Sequence, residues 1–251
     1  MKTPENINEL NNKISTTKSS NRFKSIFRIF NFSIHQKIEE YNFYFNKIDN
    51  FNKEDYKILE TVLSEYSAAL GETSTHSYSA RKVIDKDRVM FDVNFWLDGY
   101  FFTAMSLLDT IAHQVDHLYK VYPKWSSIFI DKIRKNLESK NKQWKINKIL
   151  RKIEAKNSWY RSFKEYRNTI THESVISREL PIKYIASDQE EDLKTIYLPA
   201  QPKILPPKII EQSRFEMSNL IKNYDKRLEI LVNDIYISIL EDTKKTKKLP
   251  L

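Results

Sequence analysis

The stretch Asn94-Phe95-Trp96-Leu97-Asp98-Gly99-Tyr100-Phe101-Phe102-Thr103-Ala104-Met105-Ser106-Leu107-Leu108-Asp109-Thr110-Ile111-Ala112-His113-Gln114-Val115-Asp116-His117-Leu118-Tyr119-Lys120-Val121-Tyr122 is the most apolar part of the chain. Its apolar positions, among them Phe95, Trp96, Leu97, Phe101, Met105, Leu108, Ile111, Ala112, Val115 and Leu118, cover more than one stripe of the helical period. A helix with that distribution is buried on two or more sides. It is either the centre of a bundle or has one face against another subunit. Pro123 closes it, because proline cannot continue the hydrogen-bond ladder.

Outward from this helix the period stays helical. Upstream, Phe23, Ile26, Phe27, Ile29 and Phe30 predict a short basic and aromatic helix over 21–32, followed by a crowded helical face over 36–50 with Tyr41, Phe43, Tyr44 and Phe45. Asn52 caps an expected helix to about Leu70. Downstream, a short helix is expected over 126–136. The segment 142–156 carries an apolar stripe (Ile146, Ile149, Leu150, Ile153) opposite a basic one (Lys145, Lys148, Lys152, Lys156). A helix over 159–173 follows. Between Glu173 and Pro207 the period shifts to alternation: Pro181–Ile185 and Leu193–Leu198 flank an acidic turn, the pattern of a β-hairpin, and prolines then mark an extended connector. A last helix is expected over 208–241.

The expectation is therefore an all-α protein, an antiparallel helical bundle with one inserted β-hairpin at about 175–207. Residues 1–20 are expected to be a flexible polar tail, 21–241 a single domain, and 242–251 a basic tail. Composition agrees: there are only 2 glycines, too few for β-sandwiches or phosphate-binding loops, and no cysteine, which excludes disulfides, thiolate metal sites and a cysteine nucleophile. No apolar core segment opens the chain and no long uncharged apolar run follows, so a soluble cytoplasmic protein is the expectation. A net charge of +9 favours polyanionic partners such as RNA, DNA or an acidic protein.

The chemistry concentrates in Trp159-Tyr160-Arg161-Ser162-Phe163-Lys164-Glu165-Tyr166-Arg167-Asn168-Thr169-Ile170-Thr171-His172-Glu173. Arg167 and His172 are five residues apart, about 140° around a helix and one and a half turns along it. One helix does not easily aim both groups at one atom; two copies meeting across a two-fold axis do. An Arg, a polar residue, three others and a His near a helix end resembles the HEPN family. The order of a long apolar helix, a motif helix and a closing helix over roughly 36–240 is similar to it as well.

The resemblance implies a homodimeric, metal-independent endoribonuclease acting as a toxin or defence effector, with an antitoxin or regulatory protein as a further partner. In that reading His172 deprotonates the ribose 2′-OH or protonates the leaving 5′-oxygen, Arg167 holds the scissile phosphate, and Asn168 orients one of them. It implies no cofactor, and some members of the family bind nucleotides or proteins without cutting. A non-catalytic RNA-, nucleotide- or protein-binding module therefore stands as the alternative, and a purely structural helical protein as a third.

Two further groups are candidates. Asp109, His113 and His117 lie at i, i+4 and i+8 with Asp116 beside them; a third and fourth metal ligand are not evident, so the reading is polar residues on the one wet face of a buried helix, and no metal is assigned. Asp109 and His113 are retained as auxiliary residues beside Arg167. The basic stripe through Lys152 and Lys156, continued by Arg161 and Lys164, is the candidate track for an RNA backbone, against the plainer reading of a solvated helix face.

Overall fold

A computed structural model describes residues 1–2, 4–17, 19–50, 80–120, 128–155, 158–172, 197–199 and 214–245; at 80–94, 170–172, 197–199, 214–216 and 245 it describes the backbone alone. The elements are α1 (Glu5–Ser15), α2 (Asn21–Asn50), α3 (Ala80–Tyr119), α4 (Ile133–Lys140), α5 (Lys145–Glu154), α6 (Trp159–His172), β1 (Tyr197–Pro199), β2 (Arg214–Glu216) and α7 (Met217–Lys245). The protein is helical, as its sequence predicts. Two compact units divide it: one holds Met1–Asn42, Phe101–Arg167 and Lys222–Leu251, the other Phe43–Tyr100 and Asn168–Ile221. No helix among the described residues is long and apolar enough to cross a membrane.

In the first unit α3 is the central element. Phe101, Ala104, Leu107, Leu108, Ile111, Ala112, Val115, Leu118 and Tyr119 are all fully buried, and they occupy more than one face of the helix. Polar bonds inside this core tie three helices together. Gln114 of α3 donates to Asn31 Oδ1 of α2 at 2.6 Å and accepts from the Tyr236 hydroxyl of α7 at 2.7 Å. The order of contacts also fixes direction. Phe101, Gln114 and Tyr119 meet Tyr224, Tyr236 and Asp242 in turn, so α3 and α7 run parallel. His117 meets Phe23 while Gln114 meets Asn31, so α2 is antiparallel to α3. The bundle is thus mixed rather than antiparallel throughout.

Asp242 closes this unit at one end. Its buried carboxylate accepts the Tyr119 hydroxyl at 2.9 Å and the first backbone N–H groups of α5, Lys145 at 2.8 Å and Ile146 at 3.4 Å. A side chain from α7 therefore caps α5, whose own Trp144 offers no cap. Beside it Arg134 of α4 reaches Glu154 and Glu138 at 2.7 and 2.5 Å, and Arg151 reaches Glu138 at 2.6 Å, joining α4 to α5. Lys120, in the left-handed region at φ 49°, ends α3 before Pro123 is reached.

Several boundaries depart from the sequence reading. Residues 5–15 are not a loose tail: Ile7, Leu10 and Ile14 share one face of α1 and are buried, while Lys13 donates to Thr243 Oγ1 of α7 at 2.7 Å. That contact also shows that Asp242 and Thr243 belong to α7 and not to a basic tail. The two helices expected over 21–50 are one, because Phe23, Phe27, Ile34, Ile38 and Tyr41 form an unbroken stripe with no proline or glycine between them. Helix α3 starts before Asn94, and α7 starts after Lys208, at Met217.

The strand pairing described is Tyr197–Pro199 with Arg214–Glu216, antiparallel, with Leu198 opposite Phe215. It brackets the proline-rich stretch. The expected strand Pro181–Ile185, the helix over 52–70 and the loop at 71–77 lie outside the described residues.

In the second unit, Gly99 of α3 lies against Tyr44 of α2 so closely that a Cβ would run into the tyrosine ring. Tyr44 meets Phe43 and Phe95 edge-on, at 5.2 and 6.0 Å. Of the crowded aromatics around 43–45, Tyr44 thus packs against α3 while Phe43 stays exposed, and Tyr100 of the same unit donates to the Ile221 carbonyl at 3.4 Å.

The docking of α1 is open to a direct test. Leu10→Ala is expected to remove about 2–4 kcal/mol, lowering Tm by at least several degrees. Asp242→Ala, which leaves Tyr119 and two α5 amides without their acceptor, is expected to remove about 1–3 kcal/mol. A Leu10→Ala melt within a degree of wild type would mean that α1 is not part of the folded unit.

Candidate active site on helix α6

Helix α6 is set in place by aromatic packing. Phe101 of α3 stacks on Tyr166 with ring centroids 5.0 Å apart and planes 12° from parallel, and also meets Phe163 at 5.0 Å. Tyr224 of α7 meets Phe163 edge-on at 5.1 Å, and its hydroxyl pairs with Ser162 at 3.0 Å. Trp159 closes the cluster against Phe163 and Tyr224. Phe163 and Tyr166 are fully buried, and Tyr160 and Thr169 are buried as well. Burial raises the pKa of Tyr160, Tyr166 and Tyr224, so all three are neutral packing groups near neutral pH.

Fixing Phe163 and Tyr166 in the core fixes the rotation of the next face. Tyr160, Lys164 and Arg167, at i, i+4 and i+7, present a polar stripe of α6. Opposite it stand Asp109 of α3 and Asp131 in the turn before α4. Lys164 Nζ lies 2.5 Å from Asp131 Oδ2. The Asp109 carboxylate accepts the Ile130 backbone N–H and lies within the field of Arg167, Asp131 and Lys164. Its pKa is pushed up to about 6, chiefly by burial and further by the Asp131 charge; the Ile130 amide, Arg167 and Lys164 pull against that rise. Tyr160 is in the same cluster: Asp131 and Asp109 add to the rise in its pKa, and Arg167 opposes it.

The structure therefore brings Arg167 and Asp109 together, two residues singled out in the sequence. Both are half-buried. Asn168 is half-buried on the same helix and counts with the second unit. The backbone of α6 continues to His172, whose side chain lies outside the described residues. His113 stacks on Phe30 of α2, 6.5 Å away and 11° from parallel. His117 stacks on Phe23 at 4.3 Å, and its Nε2 lies 3.1 Å from the Phe23 carbonyl. The face of α3 that carries these histidines is thus partly covered by α2 aromatics, and both histidines are half-buried.

Of the expected RNA track, Lys152 and Arg161 are exposed, Lys164 is paired with Asp131, and Lys156 lies outside the described residues. Asp131, Ile130 and Tyr160 were missed in the sequence. For Tyr160 the i, i+4, i+7 spacing with Lys164 and Arg167 was a usable signal; the turn at 130–131 gave none.

A family model described as Cthe2314-like HEPN matches residues 85–236. The chain belongs to this HEPN family. The match takes in most of α3, all of α4, α5 and α6, and most of α7, so the polar cluster lies wholly within the HEPN span while α1 and α2 lie before it. No curated protein and no solved structure matches the HEPN chain.

The Asp109 carboxyl gives the HEPN domain a pH signature. Its folded pKa lies above its unfolded one, so the folded state holds the extra proton between about pH 4 and 6. The stability it confers is complete below the unfolded pKa and is lost as pH rises through the folded one. Asp109→Asn is expected to gain about 1 kcal/mol on wild type between pH 4 and pH 7. His117, whose pKa is lowered by burial, acts in the opposite sense in both proteins and cancels in the comparison. Parallel melting curves for the two proteins across that range would show that Asp109 titrates as an exposed carboxyl.

Proposed function

We propose that this HEPN protein is a metal-independent endoribonuclease, a cytoplasmic toxin or defence effector that works as a homodimer. One observation carries the reading: in a chain of the HEPN family, Arg167 stands five residues before His172 on α6 and is set against a carboxylate of the buried helix α3.

The chemistry follows from the residue types. His172 Nε2 or Nδ1 takes the proton of a ribose 2′-OH, and the 2′-oxygen attacks the adjacent phosphorus. Negative charge builds on the non-bridging phosphate oxygens, and the Arg167 guanidinium stabilises it through paired hydrogen bonds. The bond to the 5′-oxygen breaks, and that oxygen takes up a proton from the second copy of His172. The products are a 2′,3′-cyclic phosphate and a free 5′-hydroxyl. Asn168, one turn before His172, orients the imidazole or the phosphate. A helix C-terminus favours protonated imidazole, which suits the acid copy. Two-fold pairing of α6 provides the second copy that one helix does not supply.

Exposed Lys152 and Arg161 follow the RNA backbone in this reading, with Lys156 on the same stripe. The net charge of +9 also suits an acidic protein partner such as an antitoxin.

The test is cleavage of a labelled RNA in EDTA by wild type, His172→Ala and Arg167→Ala. Both variants are expected to lose at least about 100-fold in rate while keeping their fold and dimer mass, Arg167→Ala with a lowered melting temperature because Asp109 loses a neighbouring cation. A wild type that is inert on several RNAs but still binds them replaces this reading with the non-catalytic binding module.

A further inference from the structure

Lys164 stands in the sequence as the continuation of a basic stripe, and in the structure it is spent on a carboxylate. Its Nζ lies 2.5 Å from Asp131 Oδ2, with about one third of the lysine side chain and one fifth of the aspartate exposed. Asp131 belongs to a tight turn in which Lys132 and Ile133 both donate backbone bonds to the Phe129 carbonyl, at 3.0 and 3.2 Å. Ile128, Ile130 and Ile133 anchor that turn in the core. The Ile130 amide, next to Asp131, points at Asp109. Oδ1 of Asp109 and Oδ1 of Asp131 are buried and take no hydrogen bond among the described residues, so each carboxylate is held through its other oxygen. Lys164 thus pairs with Asp131, the Ile130 amide of the same turn bonds the Asp109 carboxylate, and Asp109 lies in the field of Arg167, which is one turn beyond Lys164 on the same helix.

We infer that Lys164 and Asp131 are positioning residues: their ion pair pins the Ile130–Asp131 turn to α6, the Ile130 N–H fixes the Asp109 carboxylate, and Asp109 sets the Arg167 guanidinium. This series starts and ends on α6, so it closes a loop around the site. A lysine that makes this contact is not a phosphate contact. The two roles separate kinetically, because a backbone contact acts on RNA binding and its salt dependence, whereas a brace acts on the rate of the bound complex.

The kinetic arm of the test rests on the cleavage reading; the spectroscopic arm does not. Full-length Lys164→Met, Asp131→Asn, the double variant and Lys164→Arg are compared with wild type on labelled RNA across a range of salt. The expectation is a fall in kcat of about tenfold for each single variant with KM within about twofold. The double variant should be no worse than either single one. The salt slope should be unchanged, and Lys164→Arg should recover most of the rate.

Asp131→Asn keeps the turn's shape and serves if Lys164→Met melts early. A raised KM and a flatter salt slope in Lys164→Met alone, with Asp131→Asn like wild type, overturns the proposal and makes Lys164 an RNA contact. If wild type cuts no RNA, the cleavage reading fails and the brace is read from the Arg167 Nε–H signal in ¹⁵N–¹H spectra. A shift or broadening of that signal in both Lys164→Met and Asp131→Asn supports the brace, and an unchanged signal in either overturns it.

Discussion

A carboxylate on the most buried helix of the chain has to be answered by donors and cations, and the arrangement around α6 is that answer. Asp109 is half-buried on α3 beside Leu107, Leu108, Ile111 and Ala112, all fully covered. Leaving such a group unpartnered is expensive in a low-dielectric interior. The Ile130 amide, the Arg167 guanidinium and, further off, Lys164 each pull its proton affinity back toward the ordinary range. These groups come from three separate places in the chain, so meeting the demand of one side chain holds α3, the turn before α4 and α6 in register.

The aromatic cluster supplies the other half of that register. Phe101, Phe163, Tyr166 and Tyr224 interlock through one stacked pair and several edge-on pairs. Such geometries are selective about rotation. A helix held by stacked rings on one side and by an ion pair on the other has little freedom to turn about its axis. Arg167 inherits that fixity although it makes no part of the ring cluster itself. The parallel course of α3 and α7 contributes too, since it lets Tyr224 and Phe101 reach α6 from neighbouring helices at the same level.

How much of this could be read in the sequence depended on whether the signal was periodic. The burial of α3 on several sides, the apolar face of α5 and the α6 ring stripe follow from spacing and were legible. So were Arg167 and Asp109 as residues of interest. The docking of α1 was not, because three apolar residues in a polar, asparagine-rich stretch make a weak pattern; what identifies them is α7, far along the chain. The single helix α2 was obscured by local crowding of aromatics, although its buried positions keep one unbroken period. The pairing of Lys164 was not legible for a different reason: a stripe of lysines looks alike whether its members meet solvent or a carboxylate, and Asp131 lies in a turn that carries no period at all. The two histidines of α3 were expected on a wet face because the phenylalanines that cover them belong to another helix.

The docking of α1 has a consequence for how the chain reaches this state. Lys13 meets Thr243, 230 residues later in the sequence, and Glu9 stands 3.8 Å from Lys244. These contacts tie α1, whose Ile7, Leu10 and Ile14 are buried, to the last turns of α7. Contacts of such long separation close late and slow the final step of folding. Until that pairing closes, α1 is undocked and its apolar face is exposed to association with other chains.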